Sequence, residues 1–137
     1  MSDAIRVGVN GAGGRMGRRI VALTHADPAL EVAAAVDAEA SGLVGQDIGE
    51  LAGIGTIGIA VEATLPENVD VVIDFSTPEG LAAIANICHE RSIALVAATT
   101  GLEPDQRTTV ESVADVAGLI VAPNMSLAVS PVSYTNL

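Results

Sequence analysis

The residues best suited to chemistry in this chain are glycines. Gly11, Gly14 and Gly17 recur at every third position of Gly11-Ala12-Gly13-Gly14-Arg15-Met16-Gly17. An apolar, β-branched run (Ile5-Arg6-Val7-Gly8-Val9) precedes the cluster, and a segment of helical period follows it. In that setting G-x-x-G-x-x-G reads as a variant of the dinucleotide fingerprint. Gly11 permits the tight turn, Gly14 lets backbone approach a pyrophosphate, and Gly17 lets the helix pack closely on the strand. Free backbone N–H groups and the dipole at the helix start make an anion site. Asp37 stands 20 residues beyond Gly17, closing a second apolar run at residues 30–36. A carboxylate there accepts hydrogen bonds from the adenosine ribose hydroxyls and repels a 2′-phosphate. Ala38 beside it supplies no cation, so the local chemistry favours NADH over NADPH. The competing reading of Asp37 is a strand-ending turn residue.

Charge placement supports the anion site. The chain has a formal net charge of −11, and its six basic residues are all arginines. Three of them, Arg15, Arg18 and Arg19, fall in the first turns of one predicted helix. Cations there are unfavourable by about 0.3–1 kcal/mol each unless an anion reverses the sign. Arg15 fits that role better than Arg19, which reads as a solvated helix residue. The absence of lysine excludes a Schiff-base lysine, a lysine general acid and a Walker-type phosphate lysine. An acidic chain lacks the basic footprint that nucleic acid or an anionic membrane requires. With half its residues hydrophobic it is also too apolar for disorder. Cys88 is the single cysteine, which excludes an internal disulfide and suits a reducing compartment. No catalytic residue and no metal-ligand cluster emerges from the pattern.

The elements that must position these residues alternate along the chain. Apolar runs at residues 5–9, 30–36, 69–75, 93–97 and 119–121 read as strands, and the third is apolar enough to lie mid-sheet, covered on both faces. Between residues 15 and 26, Met16, Ile20 and Leu23 fall at i, i+4 and i+7, the spacing of one helical face. Thr77-Pro78 reads as an N-cap followed by the first helical position, with Leu81, Ile84, Ala85 and Cys88 on one stripe. Pro104 opens another helix, with Val110, Val113, Ala114 and Ala117 aligned. This alternation predicts an α/β fold, a Rossmann-like doubly wound parallel sheet in a single domain over residues 1–129. Residues 130–137 read as an irregular tail. The glycine-rich segment 42–58 has no clear period beyond a short helix near residues 46–52. The start shows no basic region followed by an apolar stretch, and residues 51–61 are broken by three glycines, far short of the ~20 apolar residues a span takes. A soluble, cytoplasmic protein is the expectation.

Four blocks carry a family resemblance. Val7-Gly8-Val9-Asn10-Gly11-Ala12-Gly13-Gly14-Arg15-Met16-Gly17, Asp74-Phe75-Ser76-Thr77-Pro78-Glu79-Gly80, Ala98-Thr99-Thr100-Gly101 and Ala122-Pro123-Asn124-Met125-Ser126 occur in that order. Together they resemble the cofactor-binding domain of the dihydrodipicolinate reductases, also called 4-hydroxy-tetrahydrodipicolinate reductases. The resemblance implies an enzyme of lysine and diaminopimelate biosynthesis that transfers a hydride from NADH or NADPH to a cyclic dicarboxylate, usually as a homotetramer. It places Gly11, Gly14, Arg15, Met16 and Gly17 along the pyrophosphate and adenosine side, with Asp37 at the ribose. Thr99, Thr100 and Gly101 would lie along the nicotinamide ribose, with Ala122, Pro123, Asn124 and Met125 flanking the nicotinamide. Two positions depart from the pattern: Thr77 stands where some relatives have arginine, and Ala98 replaces a usual glycine. The family's second domain, with its paired histidines, lysine and serine–glycine–threonine stretch, has no counterpart in this sequence. His25 and His89 fall on predicted helices instead.

Two functions follow from these readings. In the first, the chain is the nucleotide-binding half of a hydride-transfer reductase, with weak or absent turnover on its own. In the second, it is a non-catalytic module that binds a dinucleotide, or no cofactor at all, and works through assembly. The mean hydropathy of +0.50 favours an apolar interface and a homo-oligomer, most simply a two-fold dimer.

Overall fold

A computed structural model describes residues 3–122. Their six strands are β1 (Ile5–Asn10), β2 (Leu30–Val36), β3 (Val61–Glu62), β4 (Val71–Asp74), β5 (Ala94–Ala97) and β6 (Leu119–Val121). They form one sheet in the order β3-β2-β1-β4-β5-β6 with every neighbouring pair parallel. The chain starts in the middle, winds outward through β2 to β3, then returns to lay β4 against the free side of β1. That reversal between β1 and β4 is a topological switch point, where open α/β sheets bind ligands beyond their strand ends. The Rossmann-like α/β fold expected from the alternation is therefore the fold observed.

Helices cover both faces. On one, α3 (Pro78–Arg91) and α4 (Pro104–Glu111) pack over β4 and β5. Leu81, Ile84, Ala85 and Cys88 of α3 are all buried, as the stripe predicts, and join Val72, Leu95, Val110 and Val113 in one core. On the other face, α1 (Arg15–Ala26) and the single turn α2 (Ile48–Leu51) bury Val21 and Ile48 against Val7, Val9 and Val61. Each such fully buried aliphatic side chain contributes about 1.5–3 kcal/mol. Thr77 caps α3 as expected, its Oγ1 accepting the Gly80 N–H at 3.0 Å. The α4 stripe is shorter than its spacing suggests: Val110 and Val113 are buried, but Ala114 is exposed, because the helix gives way to a 3-10 turn at Ser112–Asp115.

One stripe differs from expectation. The buried residues of α1 are Gly17, Val21 and Thr24, whereas Met16 and Leu23 are 41% and 58% exposed. Gly17 is the reason. The first turn of α1 lies so close to the β1 turn that only a glycine fits there, and Val21 and Thr24 follow it at i+4 and i+7. Backbone contact, not side-chain size, orients this helix.

The glycine-rich middle has its own logic. Gly45 N donates to Val61 O and Val61 N to Gln46 O, both at 2.8 Å, so this segment runs antiparallel along the β3 edge. Asp47 caps α2 and accepts backbone N–H bonds from Gly49, Glu50, Ile57 and Gly58 at 2.7–3.2 Å. Those four bonds outweigh desolvation, which acts in the opposite direction, and hold its carboxyl below the usual aspartate range. At the other end of the sheet, Arg6 and Asp70 form a bidentate pair that joins β1 to the entry of β4, with Nη2 to Oδ1 at 2.9 Å. No helix among the described residues is long and apolar enough to cross a membrane. The expected domain end near residue 129 and the tail at 130–137 lie outside the described residues.

Candidate functional site

The carboxyl ends of β1, β2, β4 and β5 all face one edge of the sheet, and the loops leaving them build the candidate site. β1 ends in Asn10 and turns through Gly11, whose φ of +81° places it in the left-handed region. A Cβ on Gly11 would overlap the carbonyl oxygen of Phe75, so β1 and β4 can part here only around a glycine. Gly17 meets the same turn from above: a Cβ would stand 2.7 Å from Ala12 Cα and 2.8 Å from Gly11 C. Gly14 is different. The nearest atom to its Cβ position is Gly11 O at 3.5 Å, so the space over Gly14 is open. The three glycines thus differ in geometry, a left-handed turn at Gly11, open space at Gly14 and close packing at Gly17.

Helix α1 begins at this opening with Gly14 as N-cap, no side-chain cap and no acid in its first turn. Its leading N–H groups are left for an anion. The Arg15 side chain is exposed and makes no hydrogen bond or ion pair among the described residues, which leaves its charge available beside them. Arg18 is committed elsewhere: Nε donates to Gly13 O at 2.8 Å and Nη1 to Leu51 O at 3.4 Å, bracing the turn against α2.

Asp37 sits across the turn. Its Oδ2 accepts the Gly13 N–H and its Oδ1 the Ala38 N–H, each at 2.8 Å. A cavity of about 450 Å³ runs from Asp37 over Gly11 and Gly14 to Phe75, walled on the far side by Thr64 and Ile87. A second, of about 400 Å³, continues beyond Phe75, Ser76 and Thr77 to Met16, Thr99 and Thr100. Phe75, Ser76 and Thr77 line both. The two together make an elongated groove over the switch point, negative at the Asp37 end and rich in hydroxyls at the other. Donor set and shape fit a dinucleotide: a ribose acceptor, a helix start open to phosphate, then a polar pocket.

The sequence-predicted residues fall into this frame unevenly. Gly11, Gly14 and Asp37 line the first cavity; Met16, Thr99 and Thr100 line the second. Met16 therefore stands with the loops after β4 and β5 rather than beside Asp37. Gly17 lines neither, being buried under the turn. Gly101 joins Thr99 and Thr100 in a larger cavity of about 580 Å³ between α4 and β6. Size does not make that cavity the site, since it lies away from the glycine turn and from Asp37. Ala122 is buried, its N–H donating to Ala97 O at 2.8 Å. Pro123, Asn124 and Met125 lie outside the described residues. His25 and His89 are exposed in the last turns of their helices, remote from the groove. Among the described residues no cluster of three or more His, Cys, Asp or Glu side chains is arranged to hold a metal.

Two residues of the site carry no role in the sequence reading. Gly13 donates to Asp37, and a Cβ there would overlap Leu43 and come within 2.8 Å of the carboxylate. Asp74 is fully buried at the end of β4 and accepts from Asn10 Nδ2 (2.8 Å), Ser76 Oγ (2.6 Å) and Thr99 Oγ1. The signal was available: like Asp37, Asp74 is an acid closing an otherwise apolar strand.

Comparison with known proteins agrees with this geometry. The family model for "Dihydrodipicolinate reductase, N-terminus" matches residues 5–125. The chain is 43% identical over 129 residues to the 4-hydroxy-tetrahydrodipicolinate reductase of Methylococcus capsulatus, covering 92% of this chain and 48% of that one. The enzyme of the same name from Halorhodospira halophila is 41% identical over 130 residues, covering 93% of this chain and 49% of that one. A solved structure of dipicolinate-bound dihydrodipicolinate reductase from Paenisporosarcina sp. TG-14 superposes with a TM-score of 0.68 at 25% identity, over 88% of this chain and 48% of that one. The chain spans about half the length of the curated relatives it matches.

Proposed function

We propose that this chain, which belongs to the family of dihydrodipicolinate reductase N-terminal domains, holds a nicotinamide dinucleotide in the groove over its switch point. The observation that carries the reading is the convergence of Asp37, the open Gly14 and the Thr99–Thr100 loop on one continuous groove at one sheet edge. Asp37 takes the adenosine ribose, the start of α1 with Arg15 takes the pyrophosphate, and Met16, Thr99 and Thr100 border the nicotinamide end. Asp37 favours NADH over NADPH, since a 2′-phosphate would meet its carboxylate with no compensating cation among the groove's lining residues.

A bound nicotinamide supplies the hydride, and the protein supplies binding and orientation. The nicotinamide-end cavity is lined without any acid, base or cation. These residues can position a cofactor, but among the described residues nothing at this end grips a dicarboxylate or delivers a proton. The reading is thus the cofactor half of a 4-hydroxy-tetrahydrodipicolinate reductase of cytoplasmic lysine biosynthesis. Turnover by this chain on its own should be weak or absent. Association with a second copy fits the apolar cavity beside edge strand β6; light scattering that shows a monomer at every concentration refutes it.

Calorimetric titration tests the binding. NADH should bind, NADPH should bind more weakly, and Asp37→Ala should reduce NADH affinity by about tenfold or more, the loss of hydrogen bonds to a charged acceptor. Failure of the wild-type chain to bind either cofactor overturns the reading.

A further inference from the structure

Asp74 is the only buried charged side chain among the described residues, and the ion pair recorded among them, Arg6–Asp70, lies elsewhere. Every partner of Asp74 is a neutral donor. Asn10 comes from the end of β1, Ser76 from the loop after β4, and Thr99 from the loop after β5. One carboxylate therefore ties together three of the loops that build the groove. Burying a charge without a cation is costly unless its hydrogen bonds are satisfied, so this network is held at some cost to stability.

The donors' geometry shows what that cost secures. The Thr99 hydroxyl gives its single proton to Asp74 Oδ2 and accepts the Ser76 N–H at 3.0 Å. The Ser76 hydroxyl has two acceptors in reach, Asp74 Oδ1 at 2.6 Å and Thr77 O at 3.3 Å; the shorter contact takes its proton, and its oxygen accepts from Asn10 Nδ2 at 3.3 Å. Each hydroxyl has two lone pairs and one proton. With the protons spent on Asp74, both side chains can offer the groove only acceptors.

We propose that Asp74 is a positioning residue that fixes the Thr99 and Ser76 hydroxyls as hydrogen-bond acceptors for a donor on the nicotinamide-ribose half of the ligand. Ribose hydroxyls and the carboxamide NH2 are donors of that class; a phosphate oxygen is not. This rests on the dinucleotide reading and adds to it a chemical reason why the far end of the groove recognises a neutral, donor-bearing group. Asp74→Asn would turn an amide NH2 toward one of the three donors, and the hydroxyl it faces must redirect its proton into the groove.

The test compares NADH with ADP, which lacks the nicotinamide ribose, by calorimetric titration of the whole chain. Asp74→Asn should weaken NADH by about tenfold and change ADP by less than about twofold. Thr99→Val should do the same, and Thr99→Ser should retain most of the NADH affinity. Equal loss for NADH and ADP would show a merely structural Asp74 and overturn the proposal. Wild-type protein that binds neither ligand overturns the dinucleotide reading and this proposal with it. NADH bound with ADP excluded would contradict only the adenosine-end assignment. A measurement on the unaltered chain guards against a variant that does not fold. The Thr99 hydroxyl proton should be protected from solvent exchange in nuclear magnetic resonance spectra, with and without NADH. Loss of that protection on adding NADH would mean the hydroxyl donates to ligand, and the proposal would be wrong.

Discussion

Substituting alanine at Gly17 and at Gly14 should separate the glycine that builds the turn from the glycine that admits the ligand. At Gly17 the new Cβ would stand 2.7–2.8 Å from backbone carbons of Gly11 and Ala12. Carbon–carbon contact is optimal near 3.5–4.0 Å, so relief requires α1 to withdraw by about 1 Å. Backbone cannot rotate away as a side chain can. The shift also strains the Gly11 and Ala12 N–H bonds to Val36 O, now at 2.9 and 3.1 Å. Overpacking of this kind costs about 3 kcal/mol at the upper end of its usual range, and alanine's helix propensity returns about 1 kcal/mol. A net loss of about 2 kcal/mol lowers the melting temperature by roughly 8 °C for a chain of this size. At Gly14 the Cβ meets nothing closer than 3.5 Å. A weaker N-cap and a stiffer unfolded chain nearly cancel, leaving stability within about 1 kcal/mol. The same methyl fills the approach to the first N–H groups of α1, however, so NADH affinity should fall about 10–100-fold. Thermal unfolding followed by circular dichroism, paired with titration, reads both quantities. A Gly17→Ala protein as stable as wild type would refute the close-packing argument. A Gly14→Ala protein that binds NADH unchanged would remove the pyrophosphate from the start of α1.

Three further outcomes follow from the structure. Asp47 has a folded-state pKa below its ordinary value of 3.8, so its contribution to the 47–58 segment is fully present above pH 4 and is lost as pH falls through the folded value. Protection of the Ile57 and Gly58 amides, taken relative to their intrinsic exchange rates, should fall in that acid window, and Asp47→Ala should show the low protection at every pH. Cys88 is fully buried, and desolvation pushes its thiol up to about 12 from 9.0. Thiol reagents at pH 8 should therefore label it only at the rate of opening; stability should also fall as pH rises above 9, where the unfolded thiol ionises and the folded one does not. Labelling as fast as a free thiol would contradict the burial. Leu81→Ala removes a fully buried side chain of the α3–β4–β5 core and should cost about 2–5 kcal/mol by denaturant titration.

How much of this was legible in the sequence depended on whether side chains or backbone carried the signal. The parallel sheet, the α3 stripe and the Thr77 cap could be read because apolar spacing and cap chemistry act over a few residues. The α1 stripe misled because its packing is set by Gly17, a residue that contributes nothing to hydrophobic periodicity. Strand β3 is two residues long, and its neighbours 45–48 are ordered by positive-φ glycines and by Asp47 reaching eleven positions ahead to Gly58. No period could announce it. The site divides the same way. Gly11, Gly14 and Asp37 were found because a strand, a glycine turn and an acid at fixed separation form a local pattern. The Asp74 network was not found, because its partners come from positions 10, 76 and 99 and meet only once β4 lies between β1 and β5. Yet the acids at 37 and 74 announce themselves alike, each closing an apolar strand of a parallel sheet. What differs is the neighbouring strand end. Beside β2 the turn offers backbone N–H groups and leaves the carboxylate at the groove wall. Beside β4 the end of β1 offers Asn10 and the loop after β5 offers Thr99, which close over the carboxylate and bury it. An acid at the carboxyl end of an inner strand thus faces ligand or supports those that do according to its neighbours' last residues, a distinction that only the strand order resolves.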